Sequence, residues 1–292
     1  MPEKVLSGKP VAKAIQDDVI AGISRLTLPP VMALILLGND PASGFYVENI
    51  IRMGTKLGCE IHLLEYPENT TTAELVSHIA KFNQDNAVHG IMIQKPLPRH
   101  IDEISINNSV NPAKDIDGIN PVNLGKIFLE QSCFVPNTAA AVIEMIRYYN
   151  IEINGNRVVI LGRSPVVGKP LAGLLLHKTA YGNATVTVCH SQSRNLKQIT
   201  AEADILIAAI GKARFVTPEM IKSGAVCLDV GINQIMSPEG KSTYVGDIDY
   251  EACLEKASAL TPVPGGIGSV TTILLFKNLL KAVEQQIPEK NS

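Results

Sequence analysis

The chain has 292 residues, 46% of them hydrophobic and 18% charged, with a formal net charge of −2; that is more chain than one ordinary core organises and enough for two domains. Near-neutral charge with no block of like charges excludes a phosphate-tracking nucleic-acid surface and an anionic-membrane patch, while leaving room for a local anion pocket. Five scattered cysteines (Cys59, Cys133, Cys189, Cys227, Cys253) form no CxxC pair and have no nearby histidine at metal-ligand spacing, so they predict reduced thiols rather than disulfides or a metal site.

The opening "MPEKVLSGKP" has no apolar signal-peptide core, and no apolar run is long enough to span a bilayer. A soluble, cytoplasmic protein is expected. "VMALILLG" (31–38) reads as a buried strand, followed by a helix over 42–57 and the strand "CEIHLLEY" (59–66). The Thr70–Thr72 cluster opens a second helix, and "GIMIQ" (90–94) is a third strand stopped by "KPLP". A polar, proline-rich stretch near 110–123 is read as crossing a domain boundary, and "VPNTAAAVIEMIRYY" as starting a connecting helix.

The second half begins afresh with the strand "NRVVILG" (156–162) and a helix from about Val166 to His177. Strands are predicted at 184–190, 203–211 and 225–233, and the last apolar helix is "VTTILLFKNLLKAVEQQ". Short β-branched runs alternating with helices predict βαβ winding and parallel sheets. The expected architecture is two α/β domains around a cleft, the second a Rossmann-like doubly wound parallel sheet. Residues 1–136 are assigned to the first domain, 137–269 to the second, and a C-terminal helix over 270–292 packs back on the first.

"ILGRSPVVGKPLAGLLL" joins a strand to a helix through a loop holding Gly162 and Gly168. Glycines there admit close backbone approach, and the N–H groups of a helix start favour phosphate. The spacing departs from G-x-G-x-x-G, so the strand–loop–helix context carries the nucleotide reading more than the motif does; a plain turn with packing glycines is the alternative. The next strand runs out as "CHSQSRN", with no carboxylate placed to bind a ribose 2′-hydroxyl. Arg163, Ser191 and Arg194 could instead receive a 2′-phosphate, which favours NADP over NAD. His190 alone reads as an ordinary strand-end histidine.

The segments "NDPASGFYV", "IMIQKPLP", "KDIDGINPVNLGKI", "LGRSPVVGKPLAGLL", "ATVTVCHSQSRNL", "ADILIAAIGK", "LDVGINQ", "GDIDY" and "TPVPGGIGSVT" follow one another along nearly the whole chain. Together, in this order, they resemble the methylenetetrahydrofolate dehydrogenase/cyclohydrolase family. The resemblance implies a homodimer, NADP bound by the second domain, and a folate whose methylene bridge is oxidised to methenyl and then opened by water. By the same resemblance Tyr46, Gln94 and Asp117 are the catalytic and substrate-binding residues, joined by Pro264, Gly265 and Gly266 in the turn lining the folate site. Gly162, Arg163, Ser164, Gly168, Ser191, Arg194 and Ile232 are the cofactor contacts. Chemistry agrees: a carboxylate such as Asp117 can accept paired N–H bonds from an aminopterin edge, and Tyr46 offers an aromatic face with a hydroxyl.

One departure bears on the reaction. The family reads Y-x-x-x-K after its pocket tyrosine, and here Ile50 takes the lysine's place. At about 100° per residue Arg52 is rotated by roughly 240° from Tyr46, and Lys56 lies roughly 15 Å along the axis, so neither replaces it in a continuous helix. Opening the methenyl cation requires proton transfer, work suited to a buried amine; hydride transfer requires alignment without an obligatory base. The expectation is a dehydrogenase whose cyclohydrolase activity is lost or weak. Lys95 replaces a family leucine after Gln94 and offers an amine, although strand neighbours point to opposite faces. "PNTAAA" (136–141) and Ser269 also depart from the family on the folate side. The competing expectations are a catalytically silent nucleotide- or folate-binding paralogue and an enzyme acting on a modified one-carbon carrier.

Overall fold

The structure, a computed structural model, describes residues 4–38, 40–236 and 242–286. The chain begins with helix α1 (Gly8–Ile23), whose Val11, Ile15 and Val19 are buried one turn apart, and strand β1 (Val31–Leu37). All seven β1 side chains are buried, as a central parallel strand covered on both faces requires. Helix α2 (Pro41–Leu57), strand β2 (Glu60–Tyr66), helix α3 (Thr72–Gln84) and strand β3 (Gly90–Ile93) follow. Two short helices, α4 (Glu103–Ser109) and α5 (Pro121–Phe128), lead to α6 (Asn137–Tyr148).

The second half forms β4 (Arg157–Leu161), α7 (Gly168–Leu176), β5 (Thr185–Cys189), α8 (Leu196–Ala201), β6 (Ile205–Ala208) and β7 (Val226–Asp229). An antiparallel hairpin, β8 (Asn233–Met236) with β9 (Ser242–Val245), precedes α9 (Tyr250–Cys253), β10 (Ala259–Leu260) and α10 (Gly268–Gln286). The expected strand over 225–233 stops at Asp229, because the Asp229 carboxylate accepts the Gly231 N–H at 2.9 Å and turns the backbone out of the ladder.

The chain divides into two units. The three-stranded unit comprises Ile15–Lys126, Ser132–Val135 and the described residues from Thr272 on. Its parallel sheet has the order β2-β1-β3. β1 pairs with β2 from Val31↔Glu60 to Leu37↔Tyr66 and with β3 from Met32↔Gly90 to Ile35↔Ile93. Helix α2 is capped by Asp40, whose carboxylate accepts the Ser43 N–H at 2.8 Å, and ends at Gly58 in the left-handed conformation (φ 81°). Thr71 and Glu74 cap α3 reciprocally. The end of α10 is tied in by side-chain donors: Asn278 Nδ2 to Ile116 O at 2.9 Å, Lys281 Nζ to Cys133 O at 2.6 Å and Gln286 Nε2 to His89 O at 2.8 Å. Residues 287–292 of the segment read as a returning helix lie outside the described residues.

The stretch 110–123 does not cross a boundary; it is packed inside this unit. Asp115 forms a parallel bridge with Ile91, and the Ile91 N–H donates to Lys114 O at 2.7 Å. Its polar residues look like linker in sequence, but buried Asp115, Asn120 and Asn123 bond one another and the backbone of Asn107, Val110 and Pro112.

The five-stranded unit comprises the described residues up to Ala14, Ile127–Gln131 and Pro136–Thr271. All strands of its sheet are parallel, in the order β10-β7-β6-β4-β5. The amino-terminal segment, read from sequence as part of the first domain, groups here. Val5 bridges Leu260, with the Leu6 N–H donating to Leu260 O and the Leu260 N–H to Lys4 O, both at 2.9 Å. The open edge of β10 is thereby covered, a pairing that short local patterns cannot reveal.

Candidate active site

Each sheet reverses its winding once. In the five-stranded unit the chain goes from β4 outward to β5, then returns to the other side of β4 as β6. The crevice beyond the carboxyl ends at such a reversal is where open α/β sheets bind ligands. A cavity of about 300 Å³ lies there. Gly162, Arg163 and Ser164 from the end of β4 and Ser191 after β5 line it, so four of the residues expected to contact the cofactor come together.

The expected glycines are required for close approach. A Cβ on Gly162 (φ 125°) would stand 2.1 Å from Ala209 O, and one on Gly168 would stand 2.1 Å from Gly162 O. Gly168 therefore shapes the loop from behind and is buried; it lets the first turn of α7 press against the β4 loop. The Ser164 hydroxyl accepts the Val167 N–H at 3.1 Å and holds the same loop.

Arg194 and Ile232 are placed elsewhere. Arg194 lines a separate hollow along β4 and β5, with Arg157 and Gln198, because the loop after β5 turns at His190: the His190 N–H donates to Ser193 Oγ at 2.9 Å. Ile232 is 60% exposed, in the connection leading into β8. Lys212 and Phe215, not singled out from sequence, do line the cavity, the ammonium 5.5 Å from the ring centroid. A lysine just past the end of β6 was the available signal. An exposed guanidinium, an ammonium, two hydroxyls and apolar walls fit a phosphate-bearing dinucleotide. The turn Pro264–Gly266 belongs to this unit too, just after β10, and Gly265 O accepts the Gly8 N–H at 2.8 Å.

The three-stranded unit reverses between β1 and β3, and Tyr46, Gln94 and Asp117 all belong to it. Gln94 follows β3, its N–H donating to Ile35 O at 2.8 Å. Its side chain is 8% exposed; Nε2 donates to Lys95 O at 2.6 Å, and Oε1 has no hydrogen-bond partner among the described residues. Leaving a buried acceptor unmatched costs about 1–3 kcal/mol, so this oxygen is suited to a donor that arrives with a ligand. Asp117 lies in the turn just after the Asp115–Ile91 bridge, closed by the Gly118 N–H donating to Asp115 O at 3.1 Å.

Asp115, passed over from sequence, holds the Asp117 turn. Its carboxylate accepts Asn120 N and Asn123 Nδ2, both at 2.8 Å, and Ile119 N at 3.2 Å, while burial pushes its carboxyl above the usual range. The asparagines five and eight residues after it were the legible sign. A hollow of about 380 Å³ beside Leu37, Gly38, Pro96 and Leu97 is lined by none of Tyr46, Gln94 and Asp117.

Helix α2 carries Tyr46, half-buried, and Ile50, which is 0% exposed. Val47, Ile50, Gly54 and Leu57 are all buried, a spacing of three and four that makes one core-facing stripe. Ile50 thus adds to the core of this unit a side chain with no proton to exchange. The Lys95 ammonium, the substitute offered from the neighbouring strand end, lies 3.0 Å from Glu103 Oε2 and 3.5 Å from Asn107 Oδ1.

Two family models match the chain. The tetrahydrofolate dehydrogenase/cyclohydrolase catalytic domain covers residues 6–117, and the NAD(P)-binding domain of the same family covers 136–287. The chain belongs to the tetrahydrofolate dehydrogenase/cyclohydrolase family. Among curated relatives, the bifunctional protein FolD of Chloroherpeton thalassium is 45% identical over 288 residues, covering 96% of this chain and 98% of the relative. That of Dehalococcoides mccartyi strain CBDB1 is 44% identical, with coverages of 98% and 99%.

Among solved structures, FolD from Campylobacter jejuni superposes with a TM-score of 0.91 at 36% identity, covering 97% of this chain and 99% of that one. The Trypanosoma brucei FolD, complexed with NADP cofactor and inhibitor, gives 0.90 at 35% identity over 99% and 100%. The five-stranded unit holds most of the NAD(P)-binding match, and the cavity at its sheet reversal lies within that match. The three-stranded unit holds most of the catalytic-domain match, and Ile50 lies within it.

Proposed function

We propose that this member of the family oxidises 5,10-methylenetetrahydrofolate to 5,10-methenyltetrahydrofolate with NADP, and that its cyclohydrolase step is lost or weak. The observation that carries the second half is the burial of Ile50 in the α2 core stripe, with the Lys95 ammonium already held by Glu103. Gln94 Oε1 and the Asp117 carboxylate are acceptors for the N–H edges of a pterin, and Tyr46 supplies a ring face and a hydroxyl. On the nucleotide side, Arg163, Lys212 and Ser191 bind the anionic parts of NADP, and the loop shaped by Gly162 and Gly168 brings backbone close to it. The cofactor supplies the hydride acceptor. The protein's part is alignment, which needs no group that titrates near neutrality.

A second reading, in which both activities are kept, is favoured by the relatives that share more than 40% of this sequence and are named bifunctional. It requires another group to move the proton. A paired assay on the purified protein separates the two: NADP reduction with methylenetetrahydrofolate, and disappearance of methenyltetrahydrofolate without nucleotide. Reduction with little hydrolysis beyond the buffer rate supports the first reading, and robust hydrolysis the second. A homodimer joined at the β5 edge belongs to the proposal, supported by the edge position of β5 and the exposure of Thr185, Thr187 and Val188. A cytoplasmic location also belongs to it; no helix among the described residues is long and apolar enough to cross a membrane.

A further inference from the structure

Two buried carboxylates in the five-stranded unit, Asp229 in "LDVGINQ" and Asp247 in "GDIDY", are given no role by the nucleotide reading. Asp247 Oδ2 accepts the N–H groups of Ile210 at 2.7 Å and Gly211 at 3.0 Å. Its Oδ1 accepts the N–H of Lys212 at 2.8 Å and Asn233 Nδ2 at 2.9 Å. Three consecutive backbone N–H groups converging on one anion form a nest, and here the anion is the protein's own. The same segment is laced to the Asp247 strand end a second time, through Arg214 N to Gly246 O and Val216 N to Asp247 O, both at 2.9 Å.

Asp229 supports this arrangement from below, accepting Asp247 N at 3.0 Å and Ile248 N at 2.8 Å. There is no slack. A Cβ on Gly231 would stand 2.2 Å from Asp247 Cγ, and one on Gly246 would stand 1.9 Å from Asp229 Oδ2. The segment so held is a wall of the nucleotide cavity, which Ile210, Lys212 and Phe215 line.

We propose that Asp247 is a positioning residue for pyridine-nucleotide binding, its carboxylate setting the Ile210–Lys212 wall through three backbone N–H groups. The proposal rests on the nucleotide reading of the cavity. Asp247→Asn turns an amide N–H₂ toward backbone donors, breaking part of the nest while preserving volume and removing one charge. NADP is titrated into the purified full-length wild type and variant without folate. On the same preparations hydrogen exchange is followed at amides 210–212, and steady-state kinetics are recorded.

The expected result is an NADP Kd at least tenfold higher, a matching rise in KM for NADP with kcat within threefold, and faster exchange confined to 210–212. A folded D247N variant with wild-type NADP affinity overturns the proposal, as does one whose exchange rises throughout the sheet, since general loosening is not positioning. If D247N fails to fold, Asn233→Ala carries the test by removing one donor to the same carboxylate. A Kd about threefold higher supports the role, and an unchanged Kd overturns it. A wild type that binds no pyridine nucleotide overturns the nucleotide reading and this role together, whereas equal binding by wild type and variant overturns only the role.

Discussion

The Lys95 ammonium and the Glu103 carboxylate lie 3.0 Å apart, eight residues distant in sequence, across the start of α4. This pair, with Asn107 beside it, engages the one amine that sequence offered in place of the lysine the resemblance puts at position 50. Replacing Lys95 with leucine is expected to leave both folate reactions within about twofold of wild type. The pair is partly exposed, so its loss should lower stability by no more than about 1 kcal/mol. Steady-state kinetics of both reactions and a denaturant titration check this; a drop in methenyl hydrolysis of tenfold or more would assign Lys95 the work denied to it here.

Ile50→Lys tests the same position from the other side. A lysine at a side chain that is 0% exposed must desolvate its ammonium, which favours the neutral amine, the form suited to proton transfer. The variant is expected to gain methenyl hydrolysis at least tenfold over wild type. It should lose stability by about 1–3 kcal/mol, the usual penalty for burying a polar group without a full set of partners. No gain in hydrolysis by a folded variant would show that the lysine is not what this chain lacks.

Gly162→Ala places a methyl 2.1 Å from Ala209 O at a φ of 125°. Either β4 and β6 shift apart or the loop leaves its conformation, and in both cases the cavity changes shape. Strained substitutions of this kind cost about 1–3 kcal/mol. Thermal unfolding with and without NADP is the measurement: the variant should melt lower than wild type and should gain less stabilisation from NADP.

Burial pushes the Asp229 carboxyl from 3.8 up to about 7, the charge of Asp247 adding to the rise and backbone donors opposing it. Asp247, Cys227 and Cys253 are its titratable neighbours, and Arg214, Asp249, Tyr250 and Glu251 line the same hollow. A carboxyl raised in the folded state binds its proton more tightly there than in the unfolded chain. Its contribution to stability is therefore fully present below about pH 4 and is lost as pH rises to about 7, with a slope of at most about 1.4 kcal/mol per pH unit. Urea unfolding from pH 4 to 8 should show this component in the wild type. Asp229→Asn should lack it, and identical slopes in the two proteins would remove Asp229 as its source.

The strands and helices that pack densely were legible early. β1 is seven apolar residues in a row, α2 has its proline start and glycine stop, and the β4 loop shows its glycines between a strand and a helix. Tyr46, Gln94 and Asp117 could be singled out because they stand in segments that resemble the family's motifs. Asp115 left only the sign of Asn120 and Asn123 shortly after it. Asp247 could not be singled out, since it accepts three backbone N–H groups from another segment, and backbone donors leave no trace in residue identity. Lys4–Leu6 beside β10 was missed for the same reason: a bridge to Leu260 joins residues more than 250 positions apart.

By itself the amino-acid sequence determined the alternation of strand and helix, the two-part organisation, the family and the presence of a hydrocarbon side chain at position 50. Each of these depends on local periodicity or on which side chain is present. Tertiary structure alone decided that Ile50 is sealed in a core stripe, that Lys95 is held by Glu103 and that Arg194 lines a different hollow from Arg163. It also decided that one buried carboxylate sets a wall of the nucleotide cavity. Those outcomes depend on which groups meet after the chain has wound around its sheets, and burial, ion pairing and backbone hydrogen bonding are properties of that meeting.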